Sequence, residues 1–379
     1  MKKKKYIIRA VKVLSLLTAI VLLTAFLQEF VLCHADHNRE RIKGFYLEDK
    51  DSIDVVLIGA SEIYSSYAPG YAYEKFGFTS YPIATQSNII SSYKNQIKAA
   101  IEQQHPKLIV VEINGALYGN DKQLEKEANF RNYADNIPLD SNKIELVQGF
   151  APDNQIEHYV PIIKYHSVWN DWPAGLKWNL SIMQDRLRGY NLLKGIKSKS
   201  QIFKPREKVY NDTLKNNNQK KALTQKSEAY LRELLEYCKS ENLTNVVFTR
   251  FPHVVTKKSL SRFMRTNTAA DIVAEYGYDF LNFEKNFEDT GLEAPDDFYN
   301  LDHLNIYGQK KFTEYLGNIL CSKYGVSESI LTDSQKAEWD TCAEYYNAYY
   351  KYTEDLINKG KVDEIGEECF DMEKIKKFL

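Results

Sequence analysis

A nucleophilic serine needs a base beside it, and the base needs an acceptor to orient it. Ser61 follows Asp54-Val55-Val56-Leu57-Ile58-Gly59-Ala60. The apolar run Val55–Ile58, mostly β-branched, reads as a strand buried on both faces. Gly59 permits a tight turn, so Ser61 falls just past the carboxyl end of the strand. Open parallel α/β sheets bind their ligands at that end. The best base is His303, in the polar stretch from Asp296 to Gly308 that feeds a helix. A doubly wound sheet brings that stretch to the edge where Ser61 lies, although 242 positions separate the two residues. The competing reading is that His303 caps the helix that follows it.

The elements needed to bring them together are legible in order. A first strand over 53–58 is followed by a short amphipathic helix around 68–76 that stops at Gly77. A second strand over 78–83 contains Pro82, which argues for an edge or a strand end. Ile89, Tyr93, Ile97, Ala100 and Ile101 recur at helical spacing, and Leu108–Val111 is a third buried strand. Successive strand-helix-strand units imply parallel pairing with right-handed crossovers. The alternation stops over about 119–225, which holds Trp169, Trp172 and Trp178 and reads as a helical or irregular insertion over the sheet. His166, between aromatics there, is either a packing residue or one that faces substrate. The rhythm returns with a helix over 229–238, a strand over 245–249, a helix around 271–275 and a strand over 278–283. His253, past the fourth strand, lines the pocket or belongs to a loop. The expected fold is α/β, a flavodoxin-like three-layer arrangement around a mostly parallel sheet of about five strands, spanning 51–329. A helical tail over 330–379, with Trp339, packs on the domain or mediates assembly.

The amino terminus carries Lys2–Lys5, Arg9 and Lys12, then an apolar run over Val13–Leu27, interrupted by Gln28 and Glu29 and resumed by Phe30–Leu32. This predicts a membrane anchor within 1–33, its basic flank cytoplasmic and the rest of the chain outside. A cleaved signal peptide is the competitor, but no A-x-A site follows the run. Residues 34–50 read as a juxtamembrane linker with His34 and His37 solvated. The formal net charge of -1 over 379 residues gives no sign of a nucleic-acid partner. The 27 tyrosines fit a saccharide-contacting surface or simple coding bias. Cys33, Cys238, Cys321, Cys342 and Cys369 show no metal spacing and no disulfide framework, with a Cys342–Cys369 pair left open.

The Gly59-Ala60-Ser61 block on the first strand, with Asn300-Leu301-Asp302-His303-Leu304-Asn305 and Gly308 in the last loop, resembles the SGNH (GDSL-like) hydrolase superfamily. The likeness covers roughly 50–120 and 226–325. The anchor, long insertion and Trp339-containing tail are similar to those of membrane-anchored members that acylate bacterial surface polymers, teichoic acid D-alanylation among them. The resemblance implies a serine-dependent O-acyltransferase or esterase that acts outside the cell on a surface glycan or polymer. It implies no cofactor and no metal, and as partner a multispanning membrane O-acyltransferase that supplies acyl groups.

Three departures stand out. Asn300 occupies the position of the family's His-orienting Asp, and Asp302, Asp296 and Asp297 are acidic substitutes. Ala84-Thr85-Gln86-Ser87-Asn88 replaces the glycine block, so the amide of Gln86 or Ser87 would serve the oxyanion, with Asn88 beside them. Glu112-Ile113-Asn114-Gly115 replaces the Gly-x-Asn-Asp block, with Asn114 as the side-chain donor. These departures also support an alternative: a catalytically weak protein that binds a surface glycan or a membrane acyltransferase.

Overall fold

The apolar runs of Val55–Ile58, Leu108–Val111 and Val246–Phe248 require cover on both faces, and that requirement shapes the domain. The computed structural model describes residues 2–31, 36–151, 153–361 and 372–379. Helices α1 (Lys2–Phe30) and α2 (His37–Phe45) precede β1 (Val55–Gly59), α3 (Ser61–Ser66), α4 (Pro69–Phe76) and β2 (Ser80–Ala84). Next come α5 (Tyr93–Gln104) and β3 (Leu108–Glu112). The 119–225 region then supplies α6 (Glu127–Ala134), α7 (Ser141–Phe150), α8 (Ile156–Tyr159), α9 (Trp172–Trp178) and α10 (Leu180–Arg188). The alternation resumes with α11 (Gln225–Ser240), β4 (Val246–Arg250), α12 (Leu260–Glu275), β5 (Phe280–Asn282) and α13 (Ile306–Tyr324). The tail is α14 (Asp333–Asn358) and α15 (Met372–Lys376).

The protein is α/β, with a five-stranded, all-parallel sheet in the order β2-β1-β3-β4-β5. Pro82 is tolerated because β2 is an edge. Register pairs Gly59 with Ala84, Glu112 with Thr249 and Arg250 with Asn282, so the carboxyl ends of the strands lie along one edge. Alternate strand residues serve two cores. Val56, Ile58, Ile109 and Val111 pack with Ile97 and Ala100 of α5 and with Leu231, Leu234 and Leu235 of α11. Val55, Leu57, Val110 and Val247 pack with Ile63 of α3 and with Phe312, Leu316 and Leu320 of α13. Helix α1 is long and apolar enough to cross a membrane, and most of its apolar side chains are exposed.

The linker expected over 34–50 is largely a buried helix. Ile42 and Phe45 of α2 join the first core beside Tyr81 of β2. Arg41 is buried as well. It donates to the carbonyls of Ala84 and Gly195, and its guanidinium lies 3.7 Å from the Tyr64 ring centroid. His37 is buried rather than solvated; His34 lies outside the described residues. The sequence signal was modest: Asp36 accepts from the Arg39 amide at 2.7 Å as the N-cap of a helix whose other residues are mostly polar. Gly59 is needed for a different reason than a turn. A Cβ there would fall 2.9 Å from the Glu112 Cβ and 2.8 Å from Ile63, so β1 and β3 approach too closely for a side chain.

The tail is tied down through α14. A Thr332–Gln335 capping box starts it, and Trp339 is fully buried. Buried Lys194 donates to Glu48 at 2.7 Å and to Glu338 of α14 at 2.5 Å, below the face of Trp339. Cys342 is buried within α14; Cys369 lies outside the described residues, so their pairing is not described.

Candidate active site

Parallel strands in register end along one edge, so the loops after β1, β2 and β5 can meet there. Ser61 opens α3, two residues after β1 ends, and its amide sits in a first turn with no helical acceptor. The 296–305 loop between β5 and α13 delivers the partner. His303 Nε2 lies 2.7 Å from Ser61 Oγ, and His303 Nδ1 lies 2.9 Å from Asn300 Oδ1. His303 does not cap α13. Asn305 does, accepting from the amides of Tyr307 and Gly308. Tyr299 stacks on the imidazole at 5.2 Å between centroids and 3° between planes, which restricts the ring's rotation.

The tautomer follows from a main-chain donor. The Asp302 amide donates to the same Asn300 atom at 2.9 Å. An N–H can only donate, so that atom is the amide oxygen. It therefore also receives Nδ1–H of neutral His303, leaving Nε2 bare to accept the proton of Ser61. Asn300 thus fixes the useful tautomer without supplying charge. Asp302 does not take that role: its carboxylate accepts from Arg262 at 2.9 Å. Its pKa is drawn down to about 2: burial opposes this, but Arg262 and the further groups that favour the carboxylate together outweigh it. Asp297 is likewise committed, accepting from Lys311 and from the Glu293 amide, both at 2.8 Å.

Ser61, His303, Asn300 and Tyr299 face a cavity of about 260 Å³, also lined by Tyr64, Gln86, Ser87, Lys197 and Lys199 and by Asp36, His37 and Asn38 before and within α2. The turn after β2 divides the expected oxyanion donors. The Gln86 amide is already spent, donating to Asn38 Oδ1 at 2.8 Å, and its carbonyl accepts from Asn132 at 2.8 Å. Pinned on both sides, Gln86 presents Ser87, whose positive φ of 51° turns it toward the cavity. The Ser87 amide is the donor this turn leaves over. Asn88 is structural: fully buried, it donates to the Gly59 carbonyl at 2.8 Å and to Gln96 at 3.1 Å, and accepts from Ser92 at 2.8 Å. Asn114 has its carbonyl oxygen held by Arg250 at 2.9 Å and does not line the cavity. His166 is exposed in the insertion, bonded to the Ile163 carbonyl at 3.0 Å and outside the cavity.

Behind Ser61 the strand ends carry a buried ionic cluster. Arg250 donates to Glu112 at 3.1 Å and to Glu284 at 3.0 Å. His253, buried rather than pocket-lining, contacts Glu62 at 3.4 Å and the Phe251 carbonyl at 2.7 Å. Burial, and next the charge of Glu62, push the Glu112 carboxyl up to about 7 against the pull of Arg250. Burial also lowers the pKa of His303 below its ordinary value of 6.5, with the charges of Glu62 and Asp302 opposing. His303 is therefore neutral, the form a base requires, throughout the neutral range.

No family model and no curated protein matches the chain. Ser61, His303 and Asn300 were marked by residue type and place; Asn38, Tyr64, Tyr299, Lys197 and Lys199 were not. Tyr299 is adjacent to the Asn300 block and could have been included. Asn38, Lys197 and Lys199 reach the site by tertiary packing of segments whose local sequence is simply polar.

Proposed function

We propose that this chain is a serine-dependent O-acyltransferase or esterase of the SGNH type, held at a membrane by α1. Its substrate would be the acyl groups of a cell-surface glycan or polymer. The observation that carries the reading is the continuous chain Ser61 Oγ, His303, Asn300, with distances of 2.7 and 2.9 Å and one tautomer. The strand order 2-1-3-4-5, with a serine at the carboxyl end of β1, supports the flavodoxin-like three-layer form of the fold. The basic residues ahead of the apolar run of α1 support a cytoplasmic amino terminus and an extracytoplasmic domain.

In this reading Ser61 Oγ attacks the acyl carbonyl carbon while its proton passes to His303 Nε2. The amides of Ser61 and Ser87 receive the developing oxyanion. Collapse breaks the ester C–O bond, and the leaving alcohol takes the proton from Nε2. A second hydroxyl, of glycan or of water, then attacks the acyl carbon as its proton passes to Nε2, and collapse breaks the bond to Ser61 Oγ, which takes that proton back. The test uses the full chain in detergent with a fluorophosphonate probe and a small acetyl ester. Labelling and cleavage in the wild type, both absent from S61A and H303A, are expected. A folded wild type that neither labels nor cleaves refutes the reading.

A second reading, a protein that binds a surface glycan or a membrane acyltransferase, is favoured by one observation. Gln86 and Asn88, in the place of an oxyanion block, are committed to structural hydrogen bonds.

A further inference from the structure

Helix α1 is long and apolar enough to cross a bilayer, and its charge-free run, Val13–Leu27, covers about 22 Å of that path at 1.5 Å per residue, against a hydrocarbon core of about 30 Å. The polar residues that end the run do not face lipid. Gln28 accepts from the Ile162 amide at 3.2 Å, and Glu29 is gripped by Arg39 at 3.1 Å, Lys43 at 2.8 Å and Arg186 at 2.6 Å. The Arg186 guanidinium also lies 5.2 Å from the Phe30 ring centroid. The insertion therefore wraps the outer end of the anchor.

The same segment exposes an apolar stripe. Trp169, Trp172, Leu176, Leu180 and Leu187 are 41–89% exposed. Spacing by four, four and seven puts Trp172, Leu176, Leu180 and Leu187 on one helical face through the nearly continuous α9 and α10, and Trp169 precedes them in the 3-10 segment Pro161–Asp171. Lys177, Arg186 and Arg188 lie off that stripe. An amphipathic helix with Trp and Leu on one side and basic residues off it suits a lipid-water interface.

We propose that the 161–188 segment is a membrane-seating surface, embedded in the interface of the leaflet through which α1 exits, with its stripe buried among lipid. It extends the apolar surface beyond the charge-free run of α1, and it is continuous with α1 through the contacts at Gln28, Glu29 and Phe30. The seat fixes where the catalytic cavity works. Asp36, His37 and Asn38 line that cavity, and Asp36 is six residues beyond Phe30. Six residues reach at most about 20 Å, so the cavity wall is held close to the bilayer surface. The substrate is met there, at the membrane, rather than in bulk solution. This inference rests on α1 as an anchor and is independent of the acyl chemistry.

The full chain is reconstituted in phosphatidylcholine vesicles, with and without lipid brominated near the glycerol end of its acyl chains. Helix α1 has no tryptophan and Trp339 is buried, so quenching by bromine reads the insertion. In a W178F background, brominated lipid should remove up to about two-thirds of the emission, the share of Trp169 and Trp172 among the three tryptophans that remain, and the variants below are made in that background. W169F/W172F, which keeps an apolar face, should lose most of that quenching. L176D/L180D, which keeps the tryptophans, should lose it by leaving the lipid. Flotation of the vesicles reads the anchor separately. Protein that floats without quenching overturns the seat and leaves the anchor standing. Quenching unchanged in either variant also overturns the seat, and failure to float overturns both.

Discussion

Replacing Asn300 with Asp should convert a triad that only orients its histidine into one that also stabilises it. The amide oxygen of Asn300 already receives two donors, His303 Nδ1–H and the Asp302 amide, each at 2.9 Å. A carboxylate in that place keeps both and adds a full negative charge against a buried imidazole. An opposite charge at contact raises such a pKa by about 1–3, or roughly 1.4–4 kcal/mol in favour of imidazolium. With proton transfer about half complete in the transition state, turnover at pH 8 should rise by about 3- to 30-fold. The pH profile supplies the sign. Neutral His303 is the base and its pKa is held below 6.5 by burial, so the wild-type acid limb lies below pH 6.5. In N300D that limb moves up, so the gain at pH 8 shrinks as pH falls and becomes a loss below the wild-type limb. Asn300→Ala removes the acceptor and frees the wrong tautomer, at a cost of about 10²–10⁴ in turnover. Hydrolysis of an acetyl ester across pH, with labelling rates alongside, makes the comparison. An N300D variant as inactive as N300A, with no shift of the acid limb, would refute the orienting role of the Asn300 oxygen.

Asn38→Ala frees the Gln86 amide and loosens the turn that presents Ser87; kcat should fall about tenfold while fluorophosphonate labelling of Ser61 persists, as the loss of one positioning hydrogen bond predicts. Arg250→Met strands Glu112 and Glu284 without their counter-charge, and denaturant titration should register a loss of about 3–5 kcal/mol. Glu112→Gln should cost less. Its carboxyl is pushed up to about 7 in the fold, above its ordinary 4.5, so proton binding favours the folded state. Its contribution is full below pH 4.5 and fades as pH rises through 7, and the variant should flatten stability across that window.

Much of the fold was legible because burial on both faces leaves a plain mark. Val55–Ile58 and Leu108–Val111 read as buried strands and Pro82 as an edge or a strand end, and the sheet order places β2 at the edge. Ser61 and His303 were legible by type and position, since the ends of parallel strands share one edge. What tertiary structure decided was which polar groups remained available. Gln86, Asn88, Asn114 and Asp302 had suitable chemistry, yet Asn38, Gly59, Arg250 and Arg262 engage them. Hydrogen-bond partners far apart in sequence leave no local periodicity. The charged stretch that forms α2 likewise read as a linker with His37 solvated, because hydropathy cannot foresee that buried partners will satisfy polar residues. The sequence by itself determined which residues could do chemistry and the sheet that gathers them. Only the folded chain determined which of those residues were left free for it, because each buried donor or acceptor must find a partner and the nearest one in space is seldom the nearest in sequence.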